Sequence, residues 1–263
     1  YWNPASIASF NGIGVQFGSY DWLVAMKYQF AIIGIDLGAK GVLGLSIVNL
    51  SSPDDLVRTV SEPQGTGEKF STNDLSASLT YSKMLTDHFS LGGSFKYIQQ
   101  NIWHSTAHTV AIDIGTLFQT PFYGTRLGAS ISNYGGKMKM DGRDQKISID
   151  PDLDNQGNVE FVNAIYETEH FPLPLFFRVG VSGELIKKQN LKLSYGIDAL
   201  HPNDNTEHLN LGLELNYREI LFLRGGIPSF YKMDSIEGPT FGAGLNYHMT
   251  RTATLLKIDY SFS

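Results

Sequence analysis

Between positions 208 and 218, Leu209, Leu211, Leu213, Leu215 and Tyr217 alternate with Asn210, Gly212, Glu214, Asn216 and Arg218. A period of two sends the two sets to opposite faces of an extended strand, whereas a helix would scatter both around its axis. The pattern recurs with Leu75, Ala77, Leu79 and Tyr81 against serines and Thr80, and with Phe89, Leu91, Phe95 and Tyr97 against Ser90, Ser94 and Lys96. It returns at Leu191, Leu193, Tyr195 and Ile197, at Phe241, Ala243, Leu245 and Tyr247, and at Leu256, Ile258, Tyr260 and Phe262. These runs reach about 10 residues, against about 5–6 for a soluble sheet and about 9–11 for a tilted strand that crosses a bilayer.

The second face separates a membrane barrel from a soluble sandwich. A sandwich shows that face to water and carries dense Lys and Glu. Here it is mostly Gly, Ser, Asn and Thr, with sparse charges of both signs: Lys96, Asp113, Arg126, Arg178, Lys192, Asp198, Glu214, Arg224 and Asp259. Such a face suits a barrel interior in which opposite charges pair. Aromatic residues near strand ends (Trp22, Tyr28, Phe30, Tyr81, Tyr97, Trp103, Phe122, Tyr123, Tyr217, Tyr247, Tyr260) fit two girdles at the lipid headgroups, although Tyr and Phe favour strands in any case.

Composition closes off other classes. No stretch approaches the roughly 20 consecutive apolar residues of a spanning helix. The balance of 20 Lys+Arg against 26 Asp+Glu gives no basic footprint for nucleic acid, and the absence of Cys excludes thiol nucleophiles and Cys-ligated zinc. The expected fold is all-β, a transmembrane antiparallel barrel in one domain over 1–263. Candidate strands are 12–19, 22–36, 41–50, 73–86, 89–102, 107–119, 122–133, 172–186, 190–200, 207–218, 219–227, 239–249 and 253–262, of which the longest can be hairpins. Thr86-Asp87-His88 and Lys187-Lys188-Gln189-Asn190 read as tight turns, and 51–72 and 134–171 as long extracellular loops.

An ordered set of segments carries a family likeness. Trp2-Asn3-Pro4-Ala5, the run from His208 to Tyr217, Leu223-Arg224-Gly225-Gly226, Thr240 to Leu245, and Ile258-Asp259-Tyr260 together resemble the PorV/PorQ family, a branch of the FadL-like outer-membrane barrels. The resemblance implies a 14-stranded barrel with an N-terminal hatch, residues 1–11, folded into the lumen around Asn3, Pro4 and Ala5. It also implies that terminal pieces lie beyond both ends of this sequence. Taken alone, Asn-Pro-Ala reads first as a surface turn, rigid because Pro fixes φ and Asn bonds nearby backbone.

Other motifs are weaker. Asp150, Asp152 and Asp154 alternate with Gly157 beyond them, donors suited to calcium, but Asn155 and Phe161 stand where an EF-hand loop needs Gly and Glu, so a solvated loop is the leading reading. On a strand His104 and His108 lie roughly 13 Å apart, too far to share a zinc ion. Glu167 and Glu169 lie in a loop, and no nucleophile elbow, Walker loop or dinucleotide fingerprint occurs. The expectation is a non-enzymatic protein with no cofactor, embedded in outer-membrane lipid.

Two functions compete. As the PorV/PorQ likeness implies, the chain would serve type IX protein secretion, its outer loops meeting a translocon or exported cargo. Alternatively it is a FadL-like channel for hydrophobic small molecules, with Phe161, Phe171, Leu173, Leu175 and Phe176 as the outer partner or ligand surface and simple loop packing as their plainer role.

Overall fold

The computed structural model describes residues 2–150, 161–232, 238–249 and 254–262. The strands are, in chain order, β1 Ile13–Asp21, β2 Lys27–Asp36, β3 Val42–Ser51, β4 Asp55–Leu56, β5 Lys69–Phe70, β6 Thr72–Thr86, β7 Phe89–Ile102, β8 Ser105–Gln119 and β9 Arg126–Gly135. They continue as β10 Asp141–Gly142, β11 Lys146–Ile149, β12 Val162–Ile165, β13 Phe176–Lys188, β14 Leu191–Pro202, β15 His208–Tyr217, β16 Leu221–Phe230, β17 Thr240–Met249 and β18 Thr254–Phe262. Among the described residues thirteen long strands follow one another in sequence order, and the short β10, paired on β8, is the fourteenth strand of the sheet. All pairs are antiparallel, so each strand bonds its chain neighbour through a hairpin and the topology has no crossover. This is the expected transmembrane antiparallel barrel fold.

Cross-strand register turns the alternation into horizontal rows. Val15, Ile33, Leu45, Leu79, Phe95 and Ile112 pair in one row, and Phe17, Ala31, Ile47, Ala77, Tyr97 and Val110 in the next. Their large side chains are exposed, as an apolar belt facing lipid must be. On the other face Ser46 Oγ lies 2.7 Å from Ser78 Oγ and Thr80 Oγ1 2.7 Å from Ser94 Oγ, so the interior is lined by hydroxyls that satisfy one another.

The longest connections share one rim: 52–71 and the described parts of 136–175 and 231–239 lie there with the shorter 22–26, 103–104 and 203–207, while 37–41, 87–88, 120–125, 189–190 and 218–220 lie at the other. The long-loop rim carries the small hairpins β4–β5 and β11–β12.

Two readings are corrected. Segment 22–36 is not one strand: Val24 and Ala25 take φ of 54° and 60°, and Trp22 N donates to Met26 O at 2.6 Å, reversing the chain into β2. Tyr28 and Phe30 do not join a lipid-facing girdle. They share the interior face with Ile32, where the Phe30 ring fills the space that a Cβ on Gly18 would need. Trp103, Tyr217, Tyr247 and Tyr260 are exposed at or near strand ends, as a girdle requires, whereas Tyr97 is exposed within the apolar belt.

Candidate functional site

The N-terminal segment enters the lumen as a single 3-10 turn, Pro4–Ser9, which packs against β3, β6, β7 and β8. Pro4 starts the turn because its fixed φ suits a first helical position, and Asn3 caps it by accepting the Ala5 N–H at 2.9 Å on Oδ1. The Asn3 amide also donates to Thr116 O at 3.0 Å and Ala129 O at 3.4 Å, tying the turn to β8 and β9. Ser82 and Ser90 hydroxyls both donate to Ala5 O, at 3.3 and 3.2 Å, and Ser130 Oγ donates to Trp2 O at 3.3 Å.

Glycine makes room for this close approach. A Cβ on Gly92 would lie 2.5 Å from the Pro4 carbonyl carbon and 2.6 Å from Ala5 N, both rigid backbone atoms. A Cβ on Gly115 would collide with the Asn3 side chain. Phe10 lies over Gly14 and Gly34 in the same way, and Ile7 over Gly44.

Beside the hatch, Lys96 Nζ lies 2.6 Å from Asp113 Oδ2 and also donates to Asn133 Oδ1 at 3.0 Å. Asp113 Oδ1 accepts the Asn133 N–H at 2.8 Å, where β8 and β9 slip register between Ile112 and Ile114 and Asn133 takes φ 64°. The Asn133 amide then donates to Pro174 O at 2.8 Å, reaching the long loop. Trp2 stands at this junction, with the Arg178 guanidinium 4.7 Å from its ring centre.

The long-loop rim closes from above. Met138 and Phe171 exchange backbone hydrogen bonds at 2.8 and 2.9 Å. Met138, 0% exposed, packs with buried Leu173 on Ala107 and Ala111 of the β8 interior face. Loops 51–72 and 134–171 meet at His104: its Nδ1 lies 2.9 Å from Asp144 Oδ1, its N–H donates to Asp144 Oδ2 at 3.2 Å, and its Nε2 meets Arg143 Nη2. Arg143 also reaches Glu68 Oε1 at 3.4 Å. Desolvation pushes the Asp144 carboxyl up, but the hydrogen bonds from His104 and the nearby cations outweigh it and hold the group below its ordinary value.

The cavities left are small where the hatch sits. One of about 100 Å³ lies among Trp2, Lys96, Asn133, Phe176 and Arg178, and one of about 70 Å³ lies under Pro4 and Ile7 beside Ser46, Ser78 and Asp113. A larger trough of about 570 Å³ runs along β14–β18 at Gly196, Gly212, Gly226 and Gly242. There Arg224 is held by Glu214 at 2.7 Å and Asp259 at 2.5 Å.

Asn3, Pro4 and Ala5 thus lie together in the lumen. The five loop residues do not share one surface: Phe161 is exposed before β12, Phe171 and Leu173 hold the inserted loop, Leu175 exchanges hydrogen bonds with Asn203, and Phe176 lines the cavity at Trp2. Asp152 and Asp154 of the calcium motif lie outside the described residues, and among the described residues no group of three acidic or His side chains is placed to hold a metal. Sequence reasoning quoted Trp2 only within the family likeness and gave no role to Asn133 or Met138. Only the apolar character of Met138 inside a polar loop signalled it.

No protein-family description matches the chain, and no curated protein matches it. A solved FadL homologue from Pseudomonas aeruginosa is similar in structure, with a TM-score of 0.51 at 11% identity over 98% of this chain and 83% of that one. At that identity the likeness shows a shared fold, a FadL-like barrel.

Proposed function

We propose that this chain is a non-enzymatic outer-membrane barrel of the PorV/PorQ type that serves type IX secretion through its long-loop rim. The observation that carries the reading is the double seal. The hatch is fixed from below by Asn3, Ser82 and Ser90, and the loop holding Met138 and Leu173 is inserted from above. Between them the cavities measure about 100 and 70 Å³, well under the roughly 300–1,000 Å³ of a small-molecule site. A barrel plugged this way along β3 to β9 acts through its surface, and its richest surface is the long-loop rim, braced by His104, Asp144, Arg143 and Glu68. By the usual length rule that rim faces outward.

Affinity isolation of the tagged barrel from gently solubilised native membranes tests this. Recovery of a secretion component or of cargo bearing a C-terminal signal domain supports it, and recovery of the barrel alone overturns it.

A second reading, a channel for hydrophobic molecules, is favoured by the 570 Å³ trough along β14–β18, which falls within ligand-site size, and by the FadL-like fold. Saturable uptake of a labelled long-chain fatty acid that depends on this protein would select it.

A further inference from the structure

Simple alternation along β9 puts Leu127 and Ile131 on the lipid-facing side, where both are exposed, and would send Asn133 after them. The strand breaks the rule at that point. Between the pairs Ile114–Ile131 and Ile112–Tyr134, β8 advances two residues and β9 three, so β9 carries an extra residue in a bulge. Asn133 takes φ 64° there, a left-handed conformation that Asn adopts more readily than most residues, and its side chain turns into the lumen to meet Lys96.

The turned side chain joins two separate parts of the plug. The Asn133 N–H donates to Asp113 Oδ1 at 2.8 Å and its Oδ1 accepts from Lys96 Nζ at 3.0 Å, which fastens the bulge to the wall. Its Nδ2 donates to Pro174 O at 2.8 Å, next to Leu173 of the inserted loop. At the other end of the same stretch of β9, Ala129 O accepts from Asn3 at 3.4 Å and Ser130 Oγ donates to Trp2 O at 3.3 Å. Lys96 lines both small cavities beside the hatch, with Trp2 in one and with Pro4 and Ile7 in the other. A short piece of β9 thus carries the hatch at Ala129 and Ser130 and the loop at Asn133.

We propose that this bulge is the joint of a latch: the loop seated by Met138 and Leu173 keeps the hatch seated, and a loop drawn out at the rim loosens it. Withdrawal of the loop takes Pro174 O with it and leaves the Asn133 amide inside the barrel without that acceptor. The bulge then relaxes, Lys96 shifts with its Asn133 acceptor, and the bonds from β9 to Asn3 and Trp2 weaken. Coupling of this kind is reciprocal, so an unseated hatch also loosens the loop. The latch belongs to the barrel alone and does not depend on which molecule meets the rim.

Hydrogen exchange read by mass spectrometry on the full chain in nanodiscs tests the latch in both directions. Leu173→Asp, or Met138→Asp as a second route, puts a carboxylate into the seat on Ala107 and Ala111 and drives the loop out, which fast exchange at the Met138 and Phe171 amides verifies. The latch predicts about tenfold faster exchange at Ser6 and Phe10, whose amides close the hatch turn, and unchanged exchange in β7. Asn133→Gly keeps the backbone conformation and the N–H to Asp113 but removes the side-chain amide. It is expected to speed hatch exchange to the same extent alone, and Leu173→Asp on top of it adds nothing. Gly92→Ala should in turn speed exchange at Met138 and Phe171 in the parent and add nothing beside Asn133→Gly. The heat-dependent gel mobility of the folded barrel confirms that each variant is folded. Hatch exchange that stays slow with the loop out, effects of Leu173→Asp and Asn133→Gly that add, or a Gly92→Ala barrel whose loop exchanges as slowly as the parent's would each overturn the proposal.

Discussion

Lys96 Nζ stands 2.6 Å from Asp113 Oδ2 inside the barrel, with the two side chains only 12% and 3% exposed. Two charges removed from water are tolerable only as a pair, and here Asn133 completes both by accepting from one and donating its N–H to the other. Asp113→Ala should therefore cost about 3–5 kcal/mol, whereas the double variant Lys96→Met with Asp113→Leu should cost far less. Denaturant-driven unfolding from lipid vesicles measures the difference.

Gly92 sets the depth at which the hatch lies, because a side chain there meets Pro4 and Ala5 backbone that cannot turn away. Gly92→Ala is expected to weaken hatch seating by about 1–3 kcal/mol without unfolding the wall. Amide hydrogen exchange should speed up in residues 2–10 and stay unchanged in β7. Unchanged exchange in residues 2–10 would contradict the seating.

Asn3 holds the hatch by donating twice and accepting once, and its amide supplies the two N–H donors that a single hydroxyl lacks. Asn3→Asp keeps size and shape but loses the donors to Thr116 and Ala129, each worth about 1 kcal/mol. Planar-bilayer recordings are expected to be silent for the parent barrel and to show intermittent conductance for Asn3→Asp.

The His104–Asp144 clasp has a defined acid response. A carboxyl held below its ordinary value stabilises the folded loop above the unfolded Asp value of about 3.9, and that stability is lost as pH falls through the lower folded value. Limited proteolysis near residues 143–145 should stay slow at pH 5 and accelerate only in stronger acid. Asp144→Asn should remove this dependence.

The wall was legible because alternation is a local property, and register follows once the hairpins are short: Leu213 pairs with Tyr195 and Glu214 with Arg224 where their patterns align. Strand β2 was less legible. Tyr28, Phe30 and Ile32 alternate with Ala31, Ile33 and Ile35, so both faces read as apolar and the inward turn of Tyr28 and Phe30 leaves no trace in the pattern. The seal was hidden for another reason. Asn3 meets Thr116 and Ala129 across more than 100 residues, and Asn133 meets Pro174 across 41, so these contacts exist only after the sheet has curved. The five apolar loop residues were visible as a group in sequence, but backbone pairing at Met138–Phe171 and the return of the chain into β13 send them to different places.

The central claim is that the hatch and the inserted loop plug the barrel along β3 to β9 and that the long-loop rim meets a protein partner. A photoreactive amino acid at Phe161, exposed on that rim, tests it in intact cells. The account predicts a crosslink, identified by mass spectrometry, to a secretion component or to a cargo protein with a C-terminal signal domain. Crosslinks to lipid alone, in cells whose uptake of long-chain fatty acid depends on this protein, would contradict it.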